Sequence, residues 1–339
     1  MAGPVISLSH HPNAPTATTT RGPFAMNSIP GFARHQAPAL RRFAGPADLH
    51  LHSNHSDGTD TPADVIRRAY EHGVRTVALT DHDRTSGWGE AGDSAVALGM
   101  TFLPGIELSA KHGPCTLHIL GYLFDPENQA LRDEAARIRL DRKHRAERIV
   151  RNISKDYDLG WADVVAQSNP GATVGRPHIA DALVARGIVQ TRSEAFESIL
   201  AETHQYYEAL YAPETETAVR LITEAGGVAI IAHPAASGAD GLMPTADIER
   251  LIAAGLGGFE LGHRDNAADA VQRLRRIVAA HDLIVTGSSD YHGRGKPNRP
   301  GENTTTDEMV SRLIARASGA IPRYPRASTP PTDVTAVMQ

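Results

Sequence analysis

The chain has 339 residues, of which 41% are apolar and 22% charged, a composition typical of a globular α/β protein rather than a disordered or fibrous one. Its formal net charge of −5 excludes a general electrostatic attraction to nucleic acid or to an anionic membrane, although a local basic groove is compatible with it. The single cysteine, Cys115, excludes an intramolecular disulfide framework and a cysteine-rich zinc site, and it favours a cytoplasmic location.

The first 46 residues are predicted to be a disordered leader. They contain no Asp or Glu, and they include Arg21, Arg34, Arg41 and Arg42 among small and polar residues. An organelle transit peptide has a similar composition, but a leader preceding a true start at Met26 is the interpretation we favour. No apolar run approaches the roughly 20 residues that a membrane-spanning helix needs, so no membrane association is expected.

From residue 47 onward, short apolar runs alternate with amphipathic segments, a pattern typical of β-α units around a parallel sheet. Strands are predicted at 47–51, 76–80, 101–103, 116–123, 227–232, 258–261 and 283–286. Helices are predicted at 62–72, 87–98, 215–225, 245–254, 266–281 and 307–316, the first of them opened by the N-cap Thr61 and by Pro62. Seven strands are enough to form a barrel.

The alternation breaks between Asp125 and Pro213, where only helical patterns are found, the longest from about Glu127 to Asp156. We therefore predict a barrel domain formed by residues 47–124 and 214–320, with a helical insertion at 125–213. Residues 321–339 contain four prolines and are predicted to be an irregular tail.

Residues that commonly bind metals lie in or just after most of the predicted strands. They are His50, His52, Asp57, His82, Glu107, His118, His233, Asp290 and His292. Because the carboxyl ends of parallel barrel strands open onto one face, side chains far apart in sequence can meet in one pocket. Imidazole and carboxylate ligands without thiolate suit zinc, manganese or iron, and Glu107 has two oxygens that could bridge two ions. A set of unrelated histidines is the alternative, but it would not predict this clustering after apolar runs.

The order of the motifs, HxH…SDG, TDHD, GIE, H, AHP and SDxH, resembles the PHP family, named after polymerase and histidinol phosphatase. The resemblance spans roughly 47–305, and it is closest to the branch typified by 3',5'-nucleoside bisphosphate phosphatase and RNase AM. It implies a distorted (β/α)7 barrel (the PHP fold) with two or three divalent ions. The implied ligand sets are His50, His52, Glu107 and Asp290 for one ion, Glu107, His118 and His233 for a second, and Asp57, His82 and His292 for a third.

The predicted chemistry is attack on phosphorus by a metal-bridging hydroxide, without a protein nucleophile. Asp57, Glu107, His178 and Asp290 are the predicted catalytic residues. Arg176 and His178, in "GRPHIA", are predicted to grip the substrate phosphate and to assist the leaving oxygen, with surface and packing roles as the alternative. Arg294 and Lys296 are candidates for covering a second phosphate, although a solvated loop is an equal alternative.

Positions or supporting roles are predicted for several other residues. Asp48, Asp81 and Asp83 flank ligands and are expected to orient imidazoles. His55 is expected at the rim of the site, Cys115 in the core, and His263 is assigned no role. The helix from Arg132 to Arg151 has eight basic and four acidic residues, and it is either an ordinary solvated helix or a track for a nucleic-acid backbone.

Three functions are compatible with these observations. The leading hypothesis is a phosphatase that acts on small nucleotides, either 3',5'-nucleoside bisphosphates or nucleoside monophosphates. The second is a 5'-to-3' exoribonuclease on short RNA, which needs an open channel for downstream nucleotides. The third is a non-catalytic binding module stabilised by metals, which lost ligands would indicate. No obligate protein partner is predicted.

Overall fold

The computed structural model describes residues 45–113, 115–168, 172, 174–238 and 241–325. These residues contain all seven predicted strands. The strands are β1 Ala47–Asp48, β2 Thr76–Leu79, β3 Thr101–His112, β4 Cys115–Tyr122, β5 Val228–Ile231, β6 Gly258–Gly262 and β7 Ile284–Gly287. The predicted leader, apart from residues 45 and 46, and residues 326–339 of the predicted tail lie outside the described residues.

The helices of the described residues follow the predicted order. They are α1 Pro62–Glu71, α2 Trp88–Ala97, α3 Gln129–Ile153, α4 Trp161–Val165, α5 Arg176–Ala185, α6 Arg192–Glu197, α7 Thr215–Glu224, α8 Thr245–Ala253, α9 Ala268–His281 and α10 Asp307–Arg316. Capping explains several boundaries. The Thr61 hydroxyl accepts the N–H of Asp64 at the start of α1, and the Thr306 hydroxyl accepts the N–H of Met309 at the start of α10.

The strands form one seven-stranded sheet in sequence order, which is nearly closed into a barrel. The ends approach each other where the N–H of His52 donates to the carbonyl of Tyr291 at 2.9 Å. Most neighbouring strands are parallel, but β4 is antiparallel to both β3 and β5. The prediction of a fully parallel sheet was therefore wrong at β4. Only two residues separate β3 from β4, and so short a connection permits a hairpin but no parallel crossover.

Two hydrophobic clusters are linked by the long helix α3. Leu131, Ala135 and Ile138 in its first half pack into the barrel cluster, which includes residues of β3, β5 and α7. Ile149 and Ile153 in its second half pack into a separate cluster formed with α4, α5 and α6. This double attachment fixes the helical segment between β4 and α7 against the barrel.

The chain beyond α10 returns to the sheet. The backbone of Arg323 exchanges two hydrogen bonds with Phe102 of β3, at 2.8 and 2.9 Å. The beginning of the predicted irregular tail is thus held against the barrel. None of the helices in the described ranges combines the length and the apolar character that crossing a lipid bilayer requires.

Candidate metal centre

Glu107, in the middle of β3, lies at the centre of the candidate site and is 1% exposed. Its two carboxylate oxygens lie within 3.3 Å of five imidazole nitrogens, those of His50, His52, His82, His118 and His233. The oxygen Oε2 faces three of these rings and Oε1 faces the other two. This arrangement allows one carboxylate to bridge two cations.

Two further carboxylates complete the cluster. Asp290 Oδ1 lies 3.4 Å from the Nε2 atoms of both His50 and His52. Asp57 Oδ1 lies 3.2 Å from His292 Nε2, and Asp57 Oδ2 lies 3.7 Å from His82 Nε2. The structure therefore brings all nine predicted ligands together at one end of the barrel.

The donor atoms form three overlapping groups in which all the atoms lie within 4.8 Å of one another. The groups are His50, His52, Glu107 and Asp290; His52, Asp57, His82 and His292; and His82, Glu107 and His118. The first group contains the residues that the family resemblance implies for one ion. In the third group His82 stands where the resemblance implied His233, although His233 Nε2 still lies 3.3 Å from Glu107 Oε1.

The hydrogen bonding of these atoms supports a metal site. Asp57 Oδ1, His82 Nδ1, Glu107 Oε2 and His292 Nε2 are buried and have no hydrogen-bond partner among the described residues. Buried polar atoms without partners are costly, and here they converge on one another instead of pairing. Oxygen and nitrogen donors in this arrangement suit divalent cations.

Local backbone structure positions the ligands. Gly58 follows Asp57 in the "SDG" turn and lies so close to His52 that a Cβ atom would stand 2.6 Å from the His52 carbonyl oxygen. His233 and Asp290 have positive φ angles of 29° and 53°, which non-glycine residues adopt only under constraint. Local strain of this kind is characteristic of functional sites.

His118 reaches the site because β4 is reversed. It lies in the first half of β4, opposite Ser109 of β3, rather than at the end of a parallel strand as predicted. An antiparallel strand begins at the face where its neighbours end, so an early position on β4 meets late positions on β3 and β5. The sequence analysis named this residue as a candidate ligand, and that stays a prediction, but the reason that it gave for the position of the residue was wrong.

Glu260 of β6 is a functional residue that the sequence analysis missed. It is fully buried, and its Oε1 lies 3.0 Å from His50 Nδ1, while Oε2 accepts the N–H of His233 at 3.0 Å. It therefore orients one ligand ring and the backbone of a second ligand. A single acidic residue within the apolar run "GFELG" was the available signal.

The three aspartates that were predicted to orient imidazoles have other partners. Each accepts a backbone N–H near the site: Asp48 from Ser289 and Asp81 from Ser53, both in loops, and Asp83 from Ser109 of β3. The prediction for these residues was wrong, and their contacts show that they hold together the segments that bear the candidate ligands. Cys115, predicted to be in the core, is exposed. His263, which was assigned no role, is buried with Nε2 3.5 Å from Asp290 Oδ2.

Replacing Glu260 with alanine is expected to weaken metal binding about 10- to 100-fold, because residues that orient metal-bound imidazoles typically contribute this much. The change removes the carboxylate beside His50 and the acceptor of the His233 N–H. Metal titration followed by calorimetry would measure the effect, with the exposed Glu249 as a matched control for a Glu-to-Ala change. Unchanged metal affinity would contradict the positioning role.

Metal affinity is also expected to rise with pH. Burial by itself lowers the pKa of His52, but the neighbouring carboxylates of Asp290 and Glu107 outweigh it and raise this pKa from 6.5 to about 9 in the metal-free protein. A cation must displace the proton from this ring at neutral pH, so affinity increases as the pH rises from 7 towards 9. Competition with a chelator across this range would measure the slope, and a flat profile would contradict the expectation.

A cavity of about 730 Å³ adjoins the ligand cluster at Asp57. Its lining includes His178, Asp181, Arg192, Arg294 and Lys296. Lys296 Nζ lies 2.6 Å from Asp290 Oδ2, and Arg192 pairs with Asp181 through two hydrogen bonds. Three of the four predicted substrate-binding residues therefore line this cavity.

Arg176 is the exception. Its Nη2 lies 3.7 Å from Glu202 and its guanidinium group lies over the ring of Phe196, so the structure places it in the packing of the helical segment rather than at the cavity. Arg142 of α3 is closer to the ligands. It donates to Asp83 Oδ2 at 2.9 Å and to the hydroxyl of Ser109 at 2.6 Å, and Ser109 is two residues beyond Glu107 on β3.

Comparison with known proteins agrees with this geometry. The family model of the PHP domain matches residues 48–284. The chain belongs to the PHP family. The 3',5'-nucleoside bisphosphate phosphatase of Chromobacterium violaceum is 34% identical over 280 residues, which cover 79% of this chain and 95% of that protein. The 5'-3' exoribonuclease of Haemophilus influenzae is 31% identical over 247 residues, which cover 72% of this chain and 89% of that protein.

A solved structure gives the same result for the PHP fold. A proposed metal-dependent phosphoesterase from Bifidobacterium adolescentis superposes with a TM-score of 0.78 at 39% sequence identity, over 81% of this chain and 97% of that chain. The predicted family membership and the barrel-like α/β fold are confirmed. This PHP protein is a metal-dependent phosphoester hydrolase, as the motifs predicted.

Proposed function

We propose that the protein hydrolyses phosphate monoesters of small nucleotides, with 3',5'-nucleoside bisphosphates and nucleoside monophosphates as substrates. The observation that supports this proposal is a cluster of nine candidate ligands, one of which, Asp57, lines a cavity with cationic side chains. The nucleoside bisphosphate phosphatase named above covers most of this chain, which agrees with the same substrate class.

The ligand groups would hold two or three divalent ions of manganese, iron or zinc. When bound, these ions would supply a hydroxide near neutral pH and would neutralise negative charge on the phosphoryl oxygens. Glu107, Asp57 and Asp290 are the carboxylates that would hold these ions. The presence of every ligand argues against a non-catalytic binding module.

His178 is the residue proposed to assist the leaving oxygen. It lies at the start of α5, is 5% exposed and has a pKa lowered by burial, so its ring is neutral at pH 7. The N–H of Gly175 donates to Nδ1 at 3.2 Å, which places the proton of the neutral ring on Nε2. His178 can therefore present an N–H donor to an ester oxygen in the cavity.

Cationic side chains around the cavity would bind the phosphate groups. Lys296 is held beside Asp290, and Arg294 lines the same cavity, so both suit the second phosphate of a bisphosphate. Arg142 is added to the sequence-based candidates because it lies next to the strand that bears Glu107. Residues 125–213 are proposed to cover the barrel. This segment, rather than the barrel, supplies Arg142 and His178.

A 5'-to-3' exoribonuclease is the second candidate, and the orientation of α3 favours it. Arg139 and Arg142 are spaced by three residues, and both donate to Asp83, which follows His82 in the loop after β2. Two guanidinium groups near the candidate ligands could contact successive phosphates of a short RNA.

The cytoplasmic location stays a prediction from composition.

One comparison of substrates tests the function. We expect metal-loaded protein to have a higher kcat/KM for phosphate release from a 3',5'-nucleoside bisphosphate than for degradation of a 5'-phosphorylated oligonucleotide of the same base. Chelator-treated protein, assayed before and after addition of Mn²⁺, Fe²⁺ or Zn²⁺, is the control. Faster turnover of the oligonucleotide would assign the exonuclease function instead, and no phosphate release with any metal would refute both.

A further inference from the structure

A second cavity, of about 420 Å³, lies between the loop after β2 and the first turns of α3. Its wall includes Arg84, Thr85 and Ser86 on the loop side and Arg139 on α3, over a floor that includes Phe124. None of the nine candidate ligands lines it. The function proposed above does not use this cavity.

Two arginines in this cavity have no carboxylate partner within the described ranges. The Nε atom of Arg84 is buried and has no hydrogen-bond partner there. Arg139 donates from Nη1 to the carbonyl oxygen of Asp83 at 2.6 Å, and the Asp83 carboxylate, which is paired with Arg142 at 2.9 Å, offsets the charge of Arg139 only in part. Burial lowers the pKa of both guanidinium groups, and the charge of Arg84 lowers that of Arg139 further. Paired positive charges in a partly buried cavity favour the binding of an anion.

The acidic residues on the same wall form no ion pair with these two arginines. Glu127 lies 2.5 Å from Arg132. The exposed Asp133 and Asp125 accept hydrogen bonds from neutral groups, the side-chain amide of Gln129 at 2.6 Å and the N–H of Glu127 at 2.9 Å. The cavity therefore contains two guanidinium groups that have no ion-pair partner among the described residues, beside the amino-terminal turn of the 25-residue helix α3.

We propose that this cavity binds a phosphate group between Arg84 and Arg139, with the hydroxyls of Thr85 and Ser86 as further ligands. Guanidinium groups match the geometry of phosphate oxygens, and two of them together favour a dianion over a neutral ligand. The phosphate is either free inorganic phosphate or the second phosphate of a nucleotide held at the metal centre. The nucleotide as the source rests on the proposed function. It is suggested by the position of Arg84 in the chain, only two residues after the candidate ligand His82.

The site is tested with tungstate, a phosphate analogue visible by anomalous scattering. Crystals of the metal-loaded protein soaked in tungstate should show an anomalous peak between Arg84 and Arg139. The peak should persist in the matched control Arg275→Gln, altered at an exposed position on α9 away from the cavity, and it should be lost in Arg84→Gln. Arg84→Gln removes no side-chain hydrogen bond seen in the described residues, so it is preferred over Arg139→Gln for folding.

A tungstate peak at the metal centre alone would overturn the second site and leave the proposed function intact. The absence of tungstate from both places would overturn the site and would count against the proposed function as well. Kinetics then distinguish the source of the phosphate. An approximately tenfold rise in KM for a bisphosphate in Arg84→Gln, with KM for a monophosphate unchanged, assigns the site to the substrate. If tungstate binds at the site but the KM values do not follow this pattern, the site is assigned to free phosphate.

Discussion

Replacement of Glu107 by alanine is expected to lower kcat/KM for nucleotide hydrolysis by about 10³-fold or more. Its two oxygens are the only carboxylate oxygens among the described residues that approach five of the candidate imidazole ligands at once. Charge stabilisation by metal ions is worth several kcal/mol in a transition state, and about 4 kcal/mol corresponds to 10³-fold in rate. Steady-state assays with excess metal would measure the loss.

Metal content must be measured in the same experiment. We expect the Glu107→Ala protein to retain fewer ions by mass spectrometry of the metals, because the bridging ligand between the groups is lost. The Glu224→Ala protein, altered at an exposed position on α7, should keep both its ions and its activity. Full activity of Glu107→Ala would exclude the proposed metal centre as the site of hydrolysis.

Replacement of His178 by glutamine is expected to reduce hydrolysis of a nucleoside monophosphate by about 10² to 10³-fold, the range usual for loss of a hydrogen-bond donor to an oxygen on which charge develops. Glutamine can still accept the N–H of Gly175 but offers a weaker hydrogen-bond donor to the ester oxygen. A nitrophenolate leaving group needs little stabilisation of this kind, so the rate for such an ester should change far less.

The comparison of two leaving groups separates catalysis from packing. Because His178 is buried in the α3–α6 segment, a purely structural role would lower both rates equally. Equal losses for the nucleotide and the nitrophenyl ester would therefore contradict a role at the leaving oxygen. Retention of the measured metal content in His178→Gln would show that the change leaves the ligand cluster intact.

The elements of this barrel were predictable because their signals are local. Apolar runs of four or five residues, such as the one that forms β2, predict buried strands wherever they occur. The N-cap threonines before α1 and α10 mark helix starts by satisfying N–H groups of the first turn. Each of these features depends on residues within a few positions of one another, so the sequence alone was sufficient.

Contacts between elements that are far apart in the chain were harder to predict from the sequence. Glu260 could not be assigned to His50 from the sequence, because 210 residues separate them and only the closure of the sheet brings them together. The same is true of Arg142, which looked like one of eight basic residues on a solvated helix until its contacts with Asp83 and Ser109 were seen. For Arg176 the error was the opposite one. The motif predicted a substrate-binding residue, but the side chain packs within the helical segment.

The family, the seven strands and the nine residues that could bind metals were found from the sequence alone, because short motifs in a fixed order are visible without the fold. The direction of β4, the carboxylate behind His50 and the arginines that face open cavities became visible only in the folded chain. Those properties depend on which surfaces meet when the barrel closes, and side-chain direction across such an interface is set by packing rather than by residue type.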